Sequence, residues 1–419
     1  VTDSVGPTDS VALRTELLRY RASLFDPDTR LPTLPVVLDD VRRMLEARDE
    51  LSVLLVRLEQ ERDLERVYGW ERFDRTLLRV AEFLRQLLAR RAPRTGLLCQ
   101  EVVRGDTFLV FVDDSGRASE LVTEIALGLR SSSDDGDDRM PLRVGQGVVR
   151  RRLAQRLERC IYRGVLEARL DFHRRGALLD EARRAEVRTM LQERDIVTMF
   201  QPIFEMPERA VVGFEALSRG PAGTYFEHAE NLFGFTERAG LLGEVEQLCT
   251  DRALEAARRL PNGAAVFLNL SATGLDFLES GQRRLSDRVR STGLRPERVV
   301  VEITERTYAD DPVQLRDMLA ALRRLGFRIA IDDMGTGYSS LHAVADLKPD
   351  FIKLDQMLVR DLSREPIKRN LVSAILGFAR TSESRVIAEG VECADDVESL
   401  EELGVTLQQG FYLGQPRSF

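Results

Sequence analysis

Histidine, lysine, cysteine and tryptophan are all scarce in this chain of 419 residues. The three histidines (His173, His228, His342) form no His-Asp pair, so any metal chemistry must use oxygen ligands. The four cysteines (Cys99, Cys160, Cys249, Cys393) lie far apart with no C-x-x-C pair. That excludes a zinc ribbon and a disulfide framework and suits a reducing cytoplasm. No apolar run approaches the roughly 20 residues that span a bilayer, and the polar opening VTDSVGPTDS does not read as a signal peptide. The expectation is a cytoplasmic chain with no membrane partner. A formal net charge of −8 also argues against a nucleic acid polymer as partner. Only three of the 61 basic residues are lysines: Lys348, Lys353 and Lys368.

What is present is ample for folding. At 43% hydrophobic and 31% charged, the chain can bury a large core, and its length suits two or three domains at roughly 150 residues each. The first half is rich in Leu and Arg. It reads as a helix at 11–24, a turn at FDPDTRLPTLP, a strand at 51–58 and an amphipathic helix at 73–88. A hairpin follows, centred on Arg104 to Asp106, then a surface loop SSSDDGDD at 131–138 and an Arg-rich helical stretch at 153–193.

The second half changes character. Eight short apolar runs alternate with helical patterns: 196–201, 211–215, 265–270, 298–304, 327–333, 350–355, 385–389 and 405–410. Continuous apolarity suits strands covered on both faces. Asp311-Pro312 and Gly326 punctuate one intervening helix, and another runs from Ala394 to Leu403 before Gly404. Eight strand–helix units point to an α/β chain with a C-terminal TIM-type barrel; an open doubly wound sheet is the alternative.

In such barrels the chemistry sits at the C-terminal strand ends. Those positions hold Glu215, Asn269, Glu302, Asp332, Asp333, Lys353, Asp355, Glu389, Glu392 and Gln409. Singly, a Glu after a strand is more often a helix cap or a solvated loop residue. Collectively, carboxylates and amides from six strands converge on one face, where like charges repel unless cations intervene. Hard oxygen donors fit Mg²⁺ or Mn²⁺, and adjacent aspartates can serve two ions in an assembly suited to phosphodiester hydrolysis. Lys353 ends an apolar strand in a chain that otherwise writes Arg, and a compact ammonium can do what guanidinium cannot.

At this point the motifs become recognisable. FEALSR (214–219) resembles the signature of the EAL family of cyclic di-GMP phosphodiesterases. The resemblance continues through FQPI (200–203), LNLSA (268–272), EITE (302–305), IDDMGTGYSSL (331–341), IKLD (352–355), AEGVE (388–392) and QQGFYLGQP (408–416). It implies a modified TIM barrel whose first strand is antiparallel, with two Mg²⁺ or Mn²⁺ ions as cofactors. Carried over residue by residue, the metal ligands fall on Glu215, Asn269, Glu302, Asp332, Asp333 and Glu389. Lys353, Glu392 and Gln409 match positions that orient or activate the hydrolytic water. Arg219 matches a phosphate contact, Gln201, Leu217, Phe411 and Pro416 lie near the guanine bases, and Asp355 belongs to the substrate side. The implied reaction opens cyclic di-GMP to linear pGpG, and the implied assembly is a homodimer. Met334 departs from the family's usual Phe, and the stretch SRGPAGTYFEHAENLF replaces its usual Trp-containing segment.

The first half resembles a GGDEF (diguanylate cyclase) domain that has lost its chemistry. LPTLP (31–35) is similar to that family's opening and RGDTF (104–108) occupies its signature hairpin. Arg57 stands at the first metal aspartate, Arg104 at a glycine, Thr107 at the signature's metal-binding Glu and Glu65 at a guanine-binding Asn. The inhibitory R-x-x-D motif is absent from 95–98. The resemblance leaves GTP or a protein as this domain's partner, and it argues against a bifunctional cyclase. The expected organisation is an N-terminal helix (1–29), a degenerate GGDEF-like domain (30–165), a helical connector (166–190) and an EAL barrel (191–419). The competing reading is a catalytically silent cyclic di-GMP receptor or scaffold. The intact ligand set weighs against it.

Overall fold

The computed structural model describes residues 24–58, 70–126, 142–152, 154–271, 274, 282–304, 312–335 and 340–419. The helix expected at 11–24, the loop at 131–138, Glu65, Glu305 and residues 336–339 of the GTGYSS motif thus fall wholly or almost wholly outside the described residues. The chain divides into two compact units, Val1–Arg183 and Arg184–Phe419.

The first unit is built on a four-stranded sheet in the order β2-β3-β1-β4. Its strands are β1 (Glu50–Leu58), β2 (Leu97–Gln100), β3 (Phe108–Val112) and β4 (Leu142–Arg150), all paired antiparallel. Its helices are α1 (Leu34–Arg48), α2 (Trp70–Arg91), α3 (Ser115–Ala126) and the larger part, up to Arg183, of the long α4 (Leu157–Glu193). From β1 onward this is a β-α-β-β-α-β arrangement.

β1 is apolar almost without break because both of its faces are covered. Successive side chains point to opposite faces. Leu54, Val56 and Leu58 therefore pack with Leu77, Leu84 and Leu121 of α2 and α3. Leu51, Val53 and Leu55 pack with Val41 and Leu45 of α1 and with Ile161 and Val165 of α4. β3 divides in the same way, with Phe108 and Val110 on one side and Leu109 and Phe111 on the other. Glycines let α4 approach β4 closely. A Cβ built on Gly145 would lie 2.1 Å from the Ala168 carbonyl oxygen, and one on Gly147 would lie 2.2 Å from that of Gly164.

The second unit is a closed eight-stranded barrel in the order β10-β11-β12-β5-β6-β7-β8-β9. Its strands are β5 (Val197–Glu205), β6 (Ala210–Arg219), β7 (Ala265–Asn269), β8 (Val299–Thr304), β9 (Arg328–Met334), β10 (Phe351–Leu354), β11 (Arg385–Ala388) and β12 (Leu407–Gln408). β5 pairs antiparallel with both β6 and β12, and every other pairing is parallel. The TIM-type reading holds, and the open-sheet alternative falls. The β5–β6 hairpin extends well past the apolar runs that announced it, through Ile203 and Phe204 to Glu205 and back from Ala210. The helices following the strands are α5 (Ala229–Ala239), α6 (Leu242–Ala257), α7 (Gln282–Ser291), α8 (Pro312–Arg324), α9 (Ser340–Leu347), α10 (Gln356–Val359), α11 (Pro366–Thr381) and α12 (Ala394–Leu403).

Two cores result. A large one lies between strands and helices, with Val266, Val301, Ile331, Ile352 and Ala388 facing out toward Leu322, Val344 and Val372. A smaller one plugs the barrel with Ile203, Ala265, Phe267, Val300, Ala330, Phe351, Ile387 and Leu407. Gly213 leaves room for this plug, since a Cβ there would stand 2.8 Å from the Phe267 ring.

Candidate active site

The plug locates the polar site by strand periodicity alone. Two residues further along, each strand turns another side chain to the same interior. Phe267 leads to Asn269, Val300 to Glu302, Ala330 to Asp332, Phe351 to Lys353, Ile387 to Glu389 and Leu407 to Gln409. Gly213 leads likewise to Glu215. On β5, which runs the other way, Gln201 precedes Ile203. The layer above the apolar plug is therefore almost entirely polar.

Lys353 is the centre of that layer. It is fully buried, and its Nζ lies 2.6 Å from Glu389 Oε1, 2.9 Å from Glu302 Oε1, 3.2 Å from Asp332 Oδ1 and 3.5 Å from Glu215 Oε2. Four carboxylates share one ammonium. Burial opposes the lysine's charge, but the surrounding carboxylates outweigh it and hold its pKa well above the ordinary value. Glu302 is pushed well above the carboxylate range by burial, only partly offset by Lys353. Burial and then the Asp332 charge do the same to Glu389, and burial raises Asp332.

Glu215 goes the other way. Burial works against its charge, but Lys353, Gln409 and Asn269 outweigh that and lower its pKa. Asn269 Nδ2 donates to Glu215 Oε1 at 3.1 Å and Gln409 Nε2 donates to Oε2 at 2.6 Å. Gln409 Nε2 also reaches Gln201 Oε1 at 3.2 Å, and Gln201 Nε2 donates to the Gly414 carbonyl at 3.2 Å.

Asp333 breaks the alternation that would send it away from its neighbour. Its φ is 59°, a left-handed conformation that aspartate tolerates better than most residues. The β9–β10 register shifts by one residue at the same place. Carboxylate oxygens of Asp332, Asp333 and Glu389 consequently come within 4.8 Å of one another, as do those of Glu215, Glu302 and Asp332.

These residues fit divalent cations. Both Glu302 oxygens are buried without an aligned hydrogen-bond donor among the described residues, and the donor set is all oxygen. Buried acceptors left without donors are costly, and a cation would satisfy them.

The remaining expected residues stand apart from the cluster. Leu217 and Arg219 line a cleft of about 250 Å³, together with Asn269, Phe233, Glu246 and Thr250. Burial lowers the pKa of Arg219, while Glu215 works to raise it. Asp355 caps α10, accepting from the Met357 N–H at 2.7 Å. Glu392 is half exposed and lies 3.8 Å from Arg360. Phe411 is 63% exposed, and Pro416 lies in the segment after β12. Sequence reasoning missed Glu246, whose pKa burial raises to about 7 despite bonds from Ser271. Only the interruption of an apolar face on α6 could have marked it.

The EAL domain pattern matches residues 184–416, more than half of the chain. The chain belongs to the EAL domain family. An uncharacterized protein of Azorhizobium caulinodans is 33% identical over 76% of this chain and 46% of its own length. The bifunctional diguanylate cyclase/cyclic di-GMP phosphodiesterase MucR of Pseudomonas aeruginosa is 27% identical over 99% of this chain and 63% of its own length. The chain thus spans about half to two-thirds of the length of these two curated relatives. Among solved structures, the PaMucR phosphodiesterase in complex with c-di-GMP is 31% identical over 56% of this chain and 96% of that one, with a TM-score of 0.50. No helix among the described residues is long and apolar enough to cross a membrane.

Proposed function

We propose that the EAL barrel hydrolyses one phosphodiester bond of cyclic di-GMP to give linear pGpG, using two Mg²⁺ or Mn²⁺ ions. The observation that carries this reading is the gathering of Glu215, Asn269, Glu302, Asp332, Asp333 and Glu389 on one layer beside Lys353. Those six residues would hold the ions, with Asp332 common to both groups of oxygens. The chemistry a divalent pair supplies when bound is polarisation of a phosphoryl oxygen and acidification of water.

The chain's own residues do the rest. Gln409 and Asn269 fix the two oxygens of Glu215, and Gln201 braces Gln409. Lys353 neutralises the acids and is placed to hold a proton or orient a water beside them. Arg219, at the cleft wall, meets a phosphate, while Leu217, Gln201, Phe411 and Pro416 receive the guanines and Asp355 supports the substrate side. Glu392 serves the water from its half-exposed position.

The first unit is read as a degenerate GGDEF-like domain without cyclase activity. Arg57 stands at the family's metal position and its Nε donates to Asp106 at 2.9 Å, so an internal ion pair occupies the ground a cation would need. GTP or a protein is its proposed partner. The proposed homodimer has support in an exposed apolar trio, Met357, Ile367 and Leu371, on α10 and α11. Location in the cytoplasm remains part of this proposal.

The test is incubation of purified protein with cyclic di-GMP and Mn²⁺ or Mg²⁺ against an EDTA control, following pGpG by chromatography. Metal-dependent pGpG supports the hydrolase. Tight binding without turnover would replace it with the silent-receptor reading.

A further inference from the structure

We infer that Glu246 is a positioning residue of the site, fastening the segment that carries Asn269 to helix α6; this rests on the metal-dependent reading of the barrel. Three consecutive residues at the end of β7, Asn269 to Ser271, are tied down separately. Asn269 donates to Glu215 at 3.1 Å, and the Leu270 N–H donates to the Glu302 carbonyl at 3.0 Å. Ser271 is held by Glu246 alone among these acids, its N–H donating to Oε1 at 3.2 Å and its hydroxyl to Oε2 at 2.8 Å. The Gly274 N–H then donates to the Ser271 hydroxyl oxygen at 3.1 Å, extending the same chain of bonds.

Gly274 is built around this carboxylate. A Cβ there would sit 2.2 Å from Glu246 Oε2, so any larger residue pushes the acid off Ser271. Glu246 is itself buried and lines the cleft that holds Arg219 and Asn269. A buried acceptor taking two bonds from one residue gives the segment a fixed end. Without it, Asn269 keeps only its own bond and that of Leu270. Glu246 touches no reacting atom in this account; it acts through Asn269, as supporting groups around metal sites do.

Glu246→Ala, Glu246→Gln and Gly274→Ala test this. In metal-free protein, amide hydrogen exchange at Ser271 should quicken about tenfold in Glu246→Ala. Gly274→Ala should follow it, and Glu246→Gln, which keeps one acceptor oxygen, should restore most of the protection. Calorimetric titration with Mn²⁺ alone should show affinity weakened about 10–100-fold in Glu246→Ala and Gly274→Ala, with partial rescue in Glu246→Gln. Unchanged exchange would overturn the latch, and faster exchange with unchanged Mn²⁺ affinity would overturn the positioning role. If both changes appear while wild-type protein never yields pGpG, the positioning stands and the hydrolase reading falls. Should Glu246→Ala not fold, the other two variants carry the same comparison.

Discussion

Replacing Lys353 with Met removes the one ammonium shared by four buried carboxylates while nearly preserving side-chain length. Its Nζ lies within 3.5 Å of an oxygen on each, and Lys353 and Glu302 are wholly inaccessible. Removing one partner of a buried ion pair typically costs about 3–5 kcal/mol, because the other charge stays buried and unpaired. For a unit of this size each kcal/mol moves the melting midpoint by about 2–4 °C. The Lys353→Met barrel should therefore melt ~6–20 °C lower in EDTA near neutral pH. The loss should shrink in acid. Glu302 and Glu389 are acids whose folded pKa values are raised, so their contribution is present below the ordinary carboxylate range and disappears as pH rises through the folded values. Losing Lys353 removes an influence that lowers both, so the penalty grows with pH. Added Mn²⁺ should recover about 2.7 kcal/mol at a hundredfold excess over its dissociation constant, and more in the variant than in wild type, since no ammonium competes. The assay is calorimetry with and without EDTA at acid and neutral pH, read on the transition that Mn²⁺ shifts. A variant as stable as wild type in EDTA at neutral pH, or one that Mn²⁺ stabilises less, would refute the idea that Lys353 substitutes for bound cations.

Three further outcomes follow from the same geometry. Glu215→Ala should bring pGpG formation to background with the circular dichroism spectrum unchanged; wild-type turnover in that variant would remove Glu215 from the metal site. Gln409→Ala, which frees one Glu215 oxygen and Gln201, should lower turnover about 10–100-fold, measured at saturating Mn²⁺. Gly147→Ala should destabilise the first unit by about 1–3 kcal/mol or more, because its Cβ meets a helix carbonyl at 2.2 Å. A melt in which that unit's midpoint stays put would show that α4 can shift to make room.

The barrel was legible because its strands are covered on both faces, which leaves continuous apolar runs that end in polar residues. The plug-then-polar step, as from Phe351 to Lys353, is written directly into each run. The antiparallel direction of β5 was not derivable from its residues, since direction leaves no mark on an apolar run; only family resemblance supplied it. Asp333 illustrates a different limit. Strand alternation would turn it away from Asp332, and the left-handed turn and register shift that bring it back depend on β10 beside it. Glu246 was illegible for a related reason: it lies on a helix while its partner Ser271 follows β7, and no spacing along the chain announces such a bond.

The approach of β4 to α4 has a consequence for how this protein can vary. Gly145 and Gly147 sit where backbone faces backbone, with helix carbonyl oxygens 2.1 and 2.2 Å from any added Cβ. Neighbouring strand positions such as Val144 and Val149 can exchange one aliphatic side chain for another. In a library of random variants sorted only for folded protein, these two glycines should thus be refilled by nothing else, although they carry no chemistry. Their invariance across such a population would record a distance between two main chains, not a role in the reaction.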